Sequence, residues 1–136
     1  MFRGVPLVLV ASLVGRGPAV LLTSALFALA HGINPGITPL AILNIGLAGV
    51  FLGFAFYCPG RMYAAFGAHL GWNGMLAVLQ APVSGLPQDL PWFDYHPGGP
   101  QWLTGGAFGP EGGVIGSLVV VAASGVMLRR GLGHRS

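Results

Sequence analysis

The chain contains no lysine, three acidic residues and a single cysteine in 136 residues. Charged side chains make up 7% of it, where soluble domains carry roughly 25%. That is too little charge to solvate the surface of a soluble fold, which argues against a cytosolic enzyme and for the bilayer as solvent. Cys58 has no second cysteine to pair with, so no internal disulfide forms and the redox compartment cannot be read from it. The net charge of +3 is too small to argue for nucleic acid. Intrinsic disorder is excluded by the eight phenylalanines and the long Leu/Val/Ala runs.

What the sequence does hold is apolar: 54% hydrophobic residues, punctuated by 24 glycines and 11 prolines. Crossing about 30 Å of hydrocarbon takes about 20 helical residues. Ile37 to Tyr57 is the clearest span, and Met62 to Ala81 follows the turn Cys58-Pro59-Gly60-Arg61 to make a helical hairpin. Pro18 to His31 is shorter, with Pro18 at a first helical position and Gly32, Pro35 and Gly36 ending it. Val114 to Leu128, between Gly112-Gly113 and Arg129-Arg130, is read as a further span. Val5 to Val14 has a signal-peptide-like look after Arg3, but no small-x-small cleavage site precedes Arg16, so it is read as a helix entering midway.

The fold expected is therefore all-α: a single membrane domain over residues 1–136, a polytopic transmembrane helical bundle of about four to five membrane helices. Between Pro82 and Gly113 the composition turns to Pro, Gly, Trp and Tyr and holds Asp89, Asp94 and Glu111, which reads as an extramembrane loop. Its Trp92, Tyr95 and Trp102 suit the headgroup region. Alternate helix ends put Arg16, Arg61, Arg129, Arg130 and Arg135 on one side, so by the positive-inside rule that side and the C-terminus are expected to be cytoplasmic.

Ionisable groups inside a span cost several kcal/mol and are functional candidates by default. His31 lies four residues after Phe27, on the same helix face. His69 and Asn73 are also four apart and project together from an apolar helix. Two histidines and an amide of this kind are able to bind and polarise a water or a carbonyl. The plain alternative is that they hydrogen-bond neighbouring backbone. Asn44 reads as interhelical glue, and Gly46, Gly49 and Gly53 on the same span read as close-packing positions. Two imidazoles without a carboxylate or thiolate fall short of a usual zinc set, so no metal is expected.

Phe27-x-x-x-His31 and His69-x-x-x-Asn73, together with Asn44, its glycine-rich span and the turn Cys58 to Tyr63, resemble the second and third motifs of the CPBP family. These are the CAAX-protease and bacteriocin-processing (Abi) proteins, related to the type II CAAX prenyl endopeptidases. Trp102 to Gly113 is similar to a stretch before the last helix of bacterial members. The resemblance implies an intramembrane endopeptidase of the bacterial cytoplasmic membrane, acting on membrane-associated peptides or proteins without a cofactor. It makes His31, His69 and Asn73 catalytic, with the third-motif His and Asn stabilising the oxyanion, and Phe27 and Arg3 motif-supporting. The family's first motif, Glu-Glu-x-x-x-Arg, is matched by Arg3 alone; its glutamates would fall upstream of Met1. The chain as written is therefore expected to lack its general base and to be inactive. Glu111, in the loop, matches a different family position. A catalytically dead member acting in bacteriocin immunity or as a scaffold is the alternative. Rhomboid proteases also carry His-x-x-x-Asn, but they need a Gly-x-Ser-Gly that this sequence does not contain.

Overall fold

A computed structural model describes residues 4–59, 61–88 and 95–133, with the side chains of 61 and 130–133 outside the description. Arg3, Asp89, Trp92, Asp94 and Arg135 also lie outside the described residues. The described chain is all-helical. In order come α1 (Val5–Val14), α2 (Arg16–Ala30), α3 (Pro39–Tyr57), α4 (Arg61–Val78), the one-turn α5 (Gln101–Thr104), two 3-10 turns at Gly106–Phe108 and Pro110–Gly112, and α6 (Val114–Gly133).

Local chemistry sets most of these limits. Thr38 caps α3, its Oγ1 accepting from the Ala41 N–H at 3.1 Å, and Pro39 opens the helix where no N–H is needed. Gly15, at φ 87°, breaks α1 from α2 with no loop between them. α2 consequently begins at Arg16, two residues before the Pro18 start read from the sequence. α4 ends at Val78, short of the expected Ala81. Gln80 takes a left-handed conformation at φ 55°, while the Ala81 N–H donates to the Leu76 carbonyl at 2.9 Å and the Gln80 N–H to the Ala77 carbonyl at 3.0 Å. Together these make a Schellman-type stop.

α3 is apolar on nearly every face and sits at the centre, packed against α2, α4 and α6, with α1 laid on α2. Gly53 admits α2 closely, since a Cβ there would lie 2.6 Å from Val20 Cγ1. Gly46 has room to spare, with Ala28 Cβ 3.9 Å from the same built position. Of the close-packing glycines expected on this helix, Gly53 is thus a tight one and Gly46 is not. Two clusters form the core. Leu7, Ala19, Val20, Ala55, Phe56 and Ala65 pack at one end, with Met127 of α6 against them. Ala28, Ala41, Ile45 and Phe108 pack at the other.

Among the described residues one helix, α3, is long and apolar enough to cross a membrane, while α1, α2 and Val114–Arg129 are shorter apolar helices. The four to five spans expected from the sequence are reduced on this measure to one. The reason is length and composition. Fifteen residues in α2 reach only about 22 Å at about 1.5 Å each, and α4 has the length but carries His69 and Asn73. The segment read as an extramembrane loop also divides. Its Phe108 is fully buried against α2 and α3, so the 3-10 turns fold back onto the helices, whereas Trp102 remains 61% exposed.

Candidate functional site

The last turn of α2 presents Phe27 and His31. His31 Nδ1 lies 2.7 Å from the Phe27 carbonyl oxygen. A carbonyl only accepts, so Nδ1 carries the proton and donates, and in the neutral ring the lone pair is on Nε2. One turn apart on α4, the Asn73 amide nitrogen stands 3.1 Å from His69 Nε2. With the amide so placed Asn73 donates and Nε2 accepts, which leaves the proton of a neutral His69 on Nδ1. Phe27 separates the two imidazoles. Its ring centroid is 4.5 Å from that of His31 and 6.0 Å from that of His69, the latter edge-on.

The structure thus brings His31, His69, Asn73 and Phe27 around one cavity of about 370 Å³, walled otherwise by Leu52, Ala65 and Phe66. Gly4 lines it too, so α1 begins at the cavity; Arg3, the residue before Gly4, lies outside the described residues. A second cavity of about 400 Å³ shares Phe27, Leu52 and His69 with the first and has a further polar end, where Asn44, Trp72, Ser84 and Glu111 meet.

That polar end was not legible as a group in the sequence. Glu111 Oε1 accepts from Trp72 Nε1 at 2.9 Å, and Oε2 accepts from the Ser84 N–H at 2.6 Å and the Ser84 hydroxyl at 2.9 Å. Asn44 is 2% exposed; it donates to the Glu111 and Gly113 carbonyls at 2.8 and 2.9 Å and accepts from the Ser117 hydroxyl at 2.6 Å. Asn44 therefore ties α3 to the turn before α6 and to α6 itself. The Pro82–Leu86 connection is anchored here as well. The Gly85 N–H donates to the Phe108 carbonyl at 2.9 Å, and at φ 82° a Cβ on Gly85 would run into the Pro35 carbonyl. The hints in the sequence were Trp72, which lies between His69 and Asn73, and a lone carboxylate set among the glycines of 105–113, whose density signals close backbone packing.

Among the described residues no three His, Cys, Asp or Glu side chains gather as a metal set would require. Cys58 lies at the far end of the bundle, in the turn after α3, where the Arg16 guanidinium sits 5.5 Å from the centroid of the Tyr57 ring.

Two histidines and a carboxamide thus stand among apolar helices as acid–base and hydrogen-bonding groups around one cavity. The chain belongs to the Rce1-like family of type II CAAX prenyl endopeptidases, whose family model matches residues 1–75. That family is one of membrane-embedded peptidases, in agreement with the resemblance drawn from the two motifs. The matched segment contains both motifs and ends before Ser84 and Glu111. No curated protein and no solved structure matches the chain.

Proposed function

We propose that the chain is an intramembrane endopeptidase of the CPBP type that hydrolyses peptide bonds of membrane-associated substrates. The observation carrying this reading is the convergence of His31, His69 and Asn73 on one cavity with apolar walls. His31, its Nδ1–H tied to the Phe27 carbonyl, offers Nε2 to hold a water. His69, with Nε2 taken by Asn73, offers Nδ1–H to the oxyanion that forms when the water attacks the peptide carbonyl. The family's first motif supplies a carboxylate that would complete the base, and Gly4, next in sequence to the Arg3 matched to that motif, lines the same cavity.

Reconstitution of the protein, expressed from its own gene context, with a library of membrane-anchored peptides in water enriched in ¹⁸O tests the reading. Direct hydrolysis places one solvent oxygen in each new C-terminal carboxylate. Absence of any cleavage by folded protein would leave the non-catalytic immunity or scaffolding role in its place.

The bundle is proposed to lie in the bilayer as a polytopic unit. Large apolar side chains of α1, α2 and α6 face outward, among them Leu13 at 84%, Leu29 at 70% and Leu118 at 65% exposure, more than a soluble surface tolerates. Met127 packs at the Phe56 end of the core, so the α6 end bearing Arg129 and the Arg16 start of α2 share one end of the bundle. That end is proposed to be cytoplasmic. An alkaline phosphatase fused after Arg135 is expected to be inactive, and an active fusion would reverse the orientation.

A further inference from the structure

The hydrogen bonds accepted by Glu111 run to both halves of the proposed site. On one side, Trp72 lies on α4 between His69 and Asn73, and its indole N–H reaches Oε1 at 2.9 Å. On the other, Ser84 gives its N–H and hydroxyl to Oε2, while its own carbonyl accepts from Asn34 Nδ2 at 2.8 Å. Asn34 follows directly on the end of α2, its N–H donating to the His31 carbonyl at 3.0 Å. A continuous path therefore runs from the His31 turn through Asn34, Ser84, Glu111 and Trp72 to the helix of His69. Glu111 is held in place from α3, because Asn44 donates to its backbone carbonyl.

We infer that Glu111 is a positioning residue whose carboxylate sets the spacing between His31 at the end of α2 and the His69–Asn73 face of α4. The inference rests on the reading of those three side chains as the reacting groups. α2 and α4 each pack on α3 and meet each other through apolar and ring contacts such as Phe27 on His69; the Glu111 path adds a directional polar tie between them at the depth of the site. The chemistry calls for a carboxylate. All three groups facing it are donors, and an ionised carboxylate accepts at both oxygens. Glutamine has the same length but would turn an N–H₂ toward either the indole N–H or the Ser84 donors. Both oxygens of Glu111 are occupied by these fixed donors, which suits a strut better than a base.

The test combines a distance with a rate. In the full chain with Cys58→Ala, nitroxide labels are placed at Leu29→Cys and Gly74→Cys. Leu29 is exposed, and a Cβ at Gly74 meets nothing within 4 Å. The labels report the α2–α4 separation by pulsed electron resonance in liposomes. The native side chain is expected to give a narrow distribution and Glu111→Ala a broad or displaced one. Glu111→Gln and Trp72→Phe should each fall between, with the double variant no worse than Glu111→Gln alone. In the peptide assay these variants should lower kcat on the order of 10²-fold, the scale of an ångström-level misplacement, with KM little changed.

An unchanged distance distribution in Glu111→Ala overturns the inference whatever the rate does; a rate loss alone would mean that Glu111 acts on the reacting atoms directly. If the native protein cleaves nothing while the distance still responds to Glu111→Ala, the positioning stands and the peptidase reading falls.

Discussion

In the protein expressed from its own gene context, replacement of His69 by alanine is expected to lower peptide cleavage on the order of 10² to 10⁴-fold, the usual worth of an acid–base group, while the protein keeps its helical content. The side chain is half-buried and lines both cavities, and its polar partner is Asn73, one turn away on the same helix. α4 is held to the bundle by other residues, Ala65 at 3% and Leu76 at 2% exposure, which the substitution leaves alone. His31→Ala should be comparably severe, because it removes the acceptor nitrogen that the Phe27 carbonyl orients. Asn73→Ala should act in the same direction and less strongly, by freeing His69 to rotate. Undiminished cleavage in both histidine variants would place the chemistry elsewhere in the chain.

The largest loss of stability is expected from Asn44→Asp. The Asn44 amide gives both of its N–H groups to backbone carbonyls, of Glu111 and Gly113, in a site 2% exposed. Aspartate replaces that nitrogen with oxygen and turns a carboxylate toward two carbonyls. Each buried acceptor left without its donor costs about 1–3 kcal/mol, and an uncompensated buried charge adds to that. A loss on the order of 4 kcal/mol or more is therefore expected, a large part of the 5–15 kcal/mol typical of a folded domain. Asn44→Ala should cost less, since it removes the donors without adding repulsion. Equilibrium unfolding in mixed detergent micelles measures both. An aspartate variant within about 1 kcal/mol of the native protein would mean that the tie between α3 and the 111–113 turn contributes little, contrary to the net value expected of even one hydrogen bond.

The features legible in the sequence were those written in short-range chemistry. Gly32, Pro35 and Gly36 follow the end of α2, and Cys58-Pro59 the end of α3, because glycine and proline geometry acts within a turn, whereas the Gly15 break and the Thr38 cap went unread. The i,i+4 spacings of Phe27 with His31 and His69 with Asn73 put each pair on one helix face, and the bonds at 2.7 and 3.1 Å follow from that spacing. Asn44, read as glue between helices, makes hydrogen bonds of that kind to the turn before α6 and to Ser117.

What stayed hidden is long-range. Glu111 meets Trp72 across 39 residues and Ser84 across 27, and no periodicity carries such a pairing. The glycine-rich segment around it looked like a solvated loop because its one large apolar anchor, Phe108, is a single residue among turns. Span counting was limited for a different reason. Apolar runs were counted as spans from composition, but helix length is set by where the helix breaks, and the breaks at Gly15 and after Ala30 leave α2 shorter than a membrane crossing.

In the membrane placement proposed above, the brevity of α2 has a consequence for the surrounding lipid. Its fifteen residues cover about 22 Å at about 1.5 Å each, short of the roughly 30 Å of a bilayer's hydrocarbon. With the Arg16 end of the helix at one surface, the shortfall lies at the His31 end. Acyl chains next to Leu26 and Leu29, which face outward, would have to shorten there to match the helix. Hydrophobic mismatch of this kind would thin the membrane on the flank where His31 sits.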